Sequence, residues 1–218
     1  MKLLVKYSFI LCLLLNGGYK NSLFSQDSIK IDNFLKEADR TNNSAQKSIL
    51  YFKISKEYYN IDNKKALIYA KLACKEAQKS KIDTLIGKSY YMLGIVNNVL
   101  GNKKDALKNH LKGISVYENS GNLSKSADGY INLGNYYYEI NSIQKAIYYN
   151  EKALTAYKKL NDKSGMAYAI NNLGAFYLTN NKQKEALKYF KNSLELYEEL
   201  QDDFNIASAK VNIGNVYF

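Results

Sequence analysis

A period of forty residues governs this chain. Gly94, Gly134, Gly174 and Gly214 are forty apart, as are Ala66, Ala106, Ala146 and Ala186, and Tyr117, Tyr157 and Tyr197. A large aliphatic residue precedes each glycine (Leu93, Leu133, Leu173, Ile213), and another follows each alanine (Leu67, Leu107, Ile147, Leu187). Gly87, Ala127, Ala167 and Ala207 form a further small column. Columns that keep one chemical type at one period identify a stacked repeat, in which no single unit can bury its own apolar stripe.

Each period reads as two helices. Ala127, Tyr130, Leu133, Gly134, Tyr137 and Tyr138 follow helical spacing in one half, and Ala146, Ile147, Tyr149, Ala153, Leu154 and Tyr157 do so in the other. Between the halves stand Gly101, Asn141 and Asn181, residue types that enter the left-handed conformation a helix end requires. Asp62, Asn102 and Ser142 follow as expected N-caps; Lys182 breaks that column, so Asn181 is expected to serve both purposes. Proline is absent from all 218 residues, which fits one unbroken stack rather than domains on stiff linkers.

The motif residues resemble the tetratricopeptide repeat. One unit reads Tyr130, Leu133-Gly134, Tyr137, Asn141, Ala146, Asn150, Ala153; the next reads Ile170, Leu173-Gly174, Tyr177, Asn181, Ala186, Phe190, Ser193. The unit before them reads Tyr90, Leu93-Gly94, Asn97, Gly101, Ala106, His110, Gly113. The family's closing proline is replaced by Glu118, Lys158 and Glu198, and the period of forty exceeds the family's usual value of about 34. Both departures resemble a long-repeat subgroup with NLG-containing first helices, common in bacterial regulators and exported sensor proteins. The resemblance implies an all-α, right-handed superhelical solenoid of antiparallel helix pairs, with about four repeats and the last one incomplete. Its units are expected near residues 46–83, 84–123, 124–163 and 164–203, with a half unit at 204–218, after a capping helix within 27–45. The first of these is degenerate: Ile54 stands where glycine is expected.

Residues 1–26 read as a signal peptide. Lys2 and Lys6 precede the apolar run Tyr7 to Leu15, and a polar stretch follows. Nine apolar residues fall well short of the roughly 20 needed to span a bilayer. Cleavage near Ser25 or Gln26 is expected. Cys12 as a lipidated cysteine is disfavoured by Leu11 before it. Loss of the leader leaves Cys74 without a disulfide partner. The chain is therefore expected to be exported, periplasmic or secreted.

Composition narrows the functional classes. One histidine and two cysteines cannot build a usual zinc site and leave little material for a His-based triad. No nucleotide loop, nucleophile elbow or HExxH motif occurs. The chain is read as a non-enzyme without metal or cofactor. His110 and Cys74 fall in packing columns. The net charge of +11 rests on thirty lysines and one arginine spread over helix faces, which reads as a solvated basic face and not as a nucleic-acid reader, where arginine forks predominate.

A peptide or protein partner is what the resemblance implies, held by first-helix residues that line the concave face of such a solenoid. The expected anchors are Asn98, Asn135, Tyr138 and Asn171. No inward lysine pair is present, so the family's carboxylate clamp does not carry over. Asn132, Asn172 and Asn212 form a ladder that either holds a peptide backbone or bonds one repeat to the next. The alternative function is the extracytoplasmic sensor region of a truncated signalling protein. Its membrane tether and its output domain, a histidine kinase or a DNA-binding regulator, would lie beyond residue 218.

Overall fold

The computed structural model describes residues 29–217. The leader at 1–26, its Cys12 and the cleavage position lie outside the described residues, as does Phe218. Among the described residues there are ten helices and no strand: α1 (29–40), α2 (Ser44–Tyr58), α3 (Asn63–Ser80), α4 (Asp83–Val99), α5 (Lys103–Asn119), α6 (Leu123–Glu139), α7 (Ile143–Leu160), α8 (Lys163–Thr179), α9 (Gln183–Glu199) and α10 (Asp203–Asn215). They form two compact units divided between Lys81 and Ile82. In the first, α2 pairs with α3, and Lys53 of α2 lies 5.2 Å from the centre of the Phe34 ring of α1. In the second, α4–α5, α6–α7 and α8–α9 are tight antiparallel pairs, each packed on the next, with α10 against α9.

Turns set the helix lengths. Positive φ occurs at Lys81, Gly101, Gly121, Asn141, Asn161, Asn181 and Gln201, one residue in every twenty. A left-handed residue follows each helix from α3 to α9, where the last carbonyls need donors from a chain that turns back. The Asn102 amide thus reaches the Asn97 carbonyl at 2.8 Å, and Asp162 reaches Tyr157 at 3.0 Å. Lys81 and Gln201 hold this conformation at φ 57° and 54° with a β-carbon and no local side-chain compensation. We therefore expect Gln201→Gly to raise stability by about 1 kcal/mol in urea denaturation; a loss would show that its side chain is needed elsewhere.

Capping differs from the sequence expectation. Asp62 accepts from the Lys64 and Lys65 amides at 3.0 and 3.1 Å, as expected. Asn102 and Ser142 occupy the cap position but make no capping bond. Asn102 instead donates to Asn97 Oδ1 at 3.2 Å. Lys182 holds the cap position before α9, so Asn181 only turns the chain, and its expected second role is corrected. In the second compact unit the side chains that cap stand before first helices: Asn122, Asp162 and Asp202 accept from the Lys125, Gly165 and Asn205 amides at 3.1, 2.9 and 3.1 Å.

Small residues let paired helices close on one another. A β-carbon placed on Gly94 would lie 2.5 Å from the His110 ring, one on Gly134 2.0 Å from the Asn150 amide, and one on Gly174 2.6 Å from the Phe190 ring. In three consecutive units a first-helix glycine is thus the seat for a second-helix side chain. The first unit reverses the sizes: Ile54 stands in the glycine column and Ala70 in the seated column, and both are fully buried. Interior packing conserves volume, so the exchange explains how a unit without the glycine keeps register. Ala66, Ala106, Ala146 and Ala186 are also fully buried, and the rings of Tyr117, Tyr157 and Tyr197 are buried as their column predicts.

Candidate interaction surface

The four expected anchors lie along successive first helices of the second unit, and each meets the neighbouring repeat. Asn98 of α4 donates to Glu139 of α6 at 2.5 Å. Asn135 of α6 accepts from Asn172 of α8 at 3.4 Å, and the hydroxyls of Tyr138 and Thr179 are 3.1 Å apart. Asn171 of α8 accepts from Asn212 of α10 at 3.1 Å. Of the asparagine ladder, Asn172 and Asn212 therefore bond one repeat to the next, and Asn132 lines a cavity instead. The three anchor asparagines are half-buried, and Tyr138, with 38% of its surface exposed, packs its ring 4.9 Å from that of Phe176.

The cavity measures about 440 Å³ and lies among α4, α5 and α6. Its wall includes Leu85, Tyr91, Ile114 and the Tyr117 ring; Lys88, Lys125 and Asp128 add charge to it. Asp128 is engaged twice, by Lys125 at 2.8 Å and by the Tyr157 hydroxyl at 2.9 Å. Burial pushes the Tyr117 hydroxyl up to about 12, so it stays a proton donor at neutral pH. Burial and the bond to Asp128 push Tyr157 up as well.

His110 is part of the same wall. It is 6% exposed, with Tyr91 and Tyr136 rings 5.6 and 5.7 Å away, and its Nδ1 has no hydrogen-bond partner among the described residues. Burial lowers its pKa from 6.5 to about 4, so the ring is neutral at pH 7. A shallower depression of about 350 Å³ lies over α6 and α7, where Lys152 sits 4.2 Å above the Tyr130 ring and 3.8 Å from Glu118. The Tyr130 hydroxyl donates to the same Glu118 carboxylate.

Among the described residues no three His, Cys, Asp or Glu side chains gather as metal ligands, and no helix is long and apolar enough to cross a membrane. A family model, the tetratricopeptide repeat, matches residues 126–163 and 166–200. Residues 126–200 thus carry two tetratricopeptide repeats. Each matched stretch covers a first helix and its partner, α6–α7 and α8–α9. None of the curated proteins matches the chain in sequence. Solved structures share the fold of this repeat array. BtubC (BKLC) from P. vanneervenii superposes with a TM-score of 0.74 at 18% identity, over 88% of this chain and 81% of that one. Aspartyl phosphate phosphatase F from Bacillus subtilis gives 0.75 at 15% identity, over 86% and 52%. A Rap protein complexed with Competence and Sporulation Factor gives 0.72 at 17% identity, over 85% and 54%.

Sequence reasoning found the repeat array and its small-residue columns but missed which side chains the glycines seat, and missed the cavity. The signal was present: Gly87, Gly113 and Gly129 each fall where the later repeats carry alanine or serine. Their convergence required knowing that α6 of the following repeat closes the third side.

Proposed function

We propose that this repeat protein is an exported interaction scaffold that binds a peptide or protein along its first helices. The observation that carries the reading is the polar strip of Asn98, Asn135, Tyr138 and Asn171. An amide side chain offers two donors and an acceptor oxygen, and the inter-repeat bond uses only part of that capacity. The same bond fixes the side chain's rotamer, which reduces the entropy lost when a partner binds. A protein of the same fold is complexed with Competence and Sporulation Factor, which supports a binding role. The basic, then apolar, then polar order of the first 28 residues supports export.

The test is partner capture by the full chain from an envelope extract, compared with an Asn135→Ala, Asn171→Ala double variant. We expect the double variant to lose at least about tenfold in retained partner, a difference of about 1.4 kcal/mol, with its helical circular dichroism unchanged. Equal capture would leave the strip a purely structural seam. Export is checked by fractionation and N-terminal sequencing. A mature chain beginning near Gln26 is expected, and an uncleaved cytosolic chain would overturn that part.

A further inference from the structure

The first and second helices of the second unit divide their charge unequally. Residues 89–99 of α4, 129–138 of α6 and 164–179 of α8 contain no Asp, Glu, Lys or Arg. No uncharged run in α5, α7 or α9 exceeds five residues. Those second helices carry eleven lysines against seven acids, whereas α4, α6, α8 and α10 together carry four of each. Burial accounts for part of the difference, because buried helix faces exclude charge. It does not account for the exposed positions. Val99 and Tyr168 are 49% and 45% exposed, and Asn135, Asn171 and Ala175 are half-buried. On α8, Tyr168, Asn171, Ala175 and Leu178 share one face at helical spacing. Where charge does border this strip it is already engaged: Glu139 by Asn98, Asp128 by Lys125 and Tyr157, and Lys88 by a partner of its own.

We propose that the strip takes an extended peptide segment that itself carries no charge, built from small, amide and aliphatic residues. The assignment rests on the scaffold reading above and names the chemistry of its partner. A charged side chain pressed on this surface would lose water and meet no free counter-charge, which disfavours it. A peptide backbone or an amide side chain is compensated, because Asn135, Asn171 and Asn172 keep donors and acceptors beyond their inter-repeat bonds. A neutral glycan would share those hydrogen bonds, but the aliphatic Ile95, Ala175 and Leu178 on the same helices suit peptide side chains better than hydroxyls. The lysines sit on the other helix of each pair, where Lys104, Lys108, Lys184 and Lys188 are all exposed. They attract acids at long range without a place in the strip, so salt separates the two kinds of binding.

The test selects peptides of about twelve residues, roughly 40 Å when extended, from a random phage-displayed library on the immobilised full chain. We expect Asp, Glu, Lys and Arg to fall at least about threefold in the recovered pool relative to the input. The leading recovered peptide, synthesised with a fluorophore, should keep its Kd within about twofold between about 0.05 and 0.5 M salt. One Asp or Lys placed at its centre should weaken it at least about tenfold. Val99→Lys charges an exposed edge of the strip and should bring acids back into the selected pool; a pool it leaves unchanged overturns the assignment. The Asn135→Ala, Asn171→Ala double variant separates the two readings. Charged peptides that wild type holds and the double variant loses overturn the neutral segment and leave the scaffold. Peptides held equally by the double variant overturn the strip itself. An acid-rich pool whose binding falls more than about tenfold over the salt range moves capture to the lysine faces and overturns the inference. An unenriched pool overturns the peptide reading, and retardation of the chain in a dextran gel would then give the strip to a neutral glycan.

Discussion

Phe190→Ala lowers the stability of the array by about 3–5 kcal/mol, read from urea denaturation followed by circular dichroism. The ring is 1% exposed and lies on Gly174, so its removal leaves a hole floored by backbone that no neighbouring side chain fills. The first unit supplies the second half of the experiment. There Ile54 and Ala70 stand in the Gly174 and Phe190 columns with the sizes reversed. Adding Gly174→Ile to Phe190→Ala is expected to recover more than half of the loss, whereas Gly174→Ile alone destabilises by driving a side chain into the ring. A double-mutant cycle with no coupling would show that the two columns are not packing partners. A single-mutant loss below about 1 kcal/mol would show that the site relaxes.

Acidification from pH 7 to 4 costs the array up to about 3 kcal/mol through His110 alone. Burial lowers its pKa to about 4, against 6.5 in an unfolded chain. Above pH 6.5 both states are neutral there and His110 contributes no pH dependence. Between 6.5 and 4 the unfolded chain takes up a proton that the folded one refuses, so stability falls as pH falls. Carboxylates add their own losses at lower pH. Glu76, held low by its bond to Lys79, is one of them. The difference between wild type and His110→Phe isolates the imidazole, since the chain has no other histidine. Phenylalanine already occupies this column at Phe190. The variant should lose the pH-dependent component and gain about 1 kcal/mol at pH 7, because an unpartnered buried nitrogen is removed. Parallel stability curves for the two proteins between pH 7 and 4 would show that His110 is protonated in the folded state as readily as in the unfolded one.

What the sequence made legible was whatever repeats. The columns of Gly94, Ala106 and Tyr117 placed the helices and their contacts, because packing within a pair depends on local spacing that every unit shares. What differs between units was harder to read. Asn172 reaches back 37 residues to Asn135, whereas Asn212 reaches back 41 to Asn171. That register depends on how one helix pair rests on the next, which local periodicity does not encode. The caps escaped for a related reason. Asn102 has the right residue type in the right place, yet its side chain finds Asn97 closer than the amides of α5. The cavity lies among three helices, and its lining is drawn from several columns at once.

The even spacing of left-handed residues bears on how such an array changes over generations. Seven turns from Lys81 to Gln201 bend the chain at the same interval with the same sign of φ. A helix pair copied or deleted between two of them would rejoin at a bend of the same kind, so the number of pairs is free to drift without new linkers. A single inserted residue has no such freedom. It would rotate the rest of its helix by roughly 100° and move every seated side chain off its glycine. Length variation in relatives of this chain should therefore come in blocks of forty residues, or as added residues at the turn tips, and not as odd insertions within the helices.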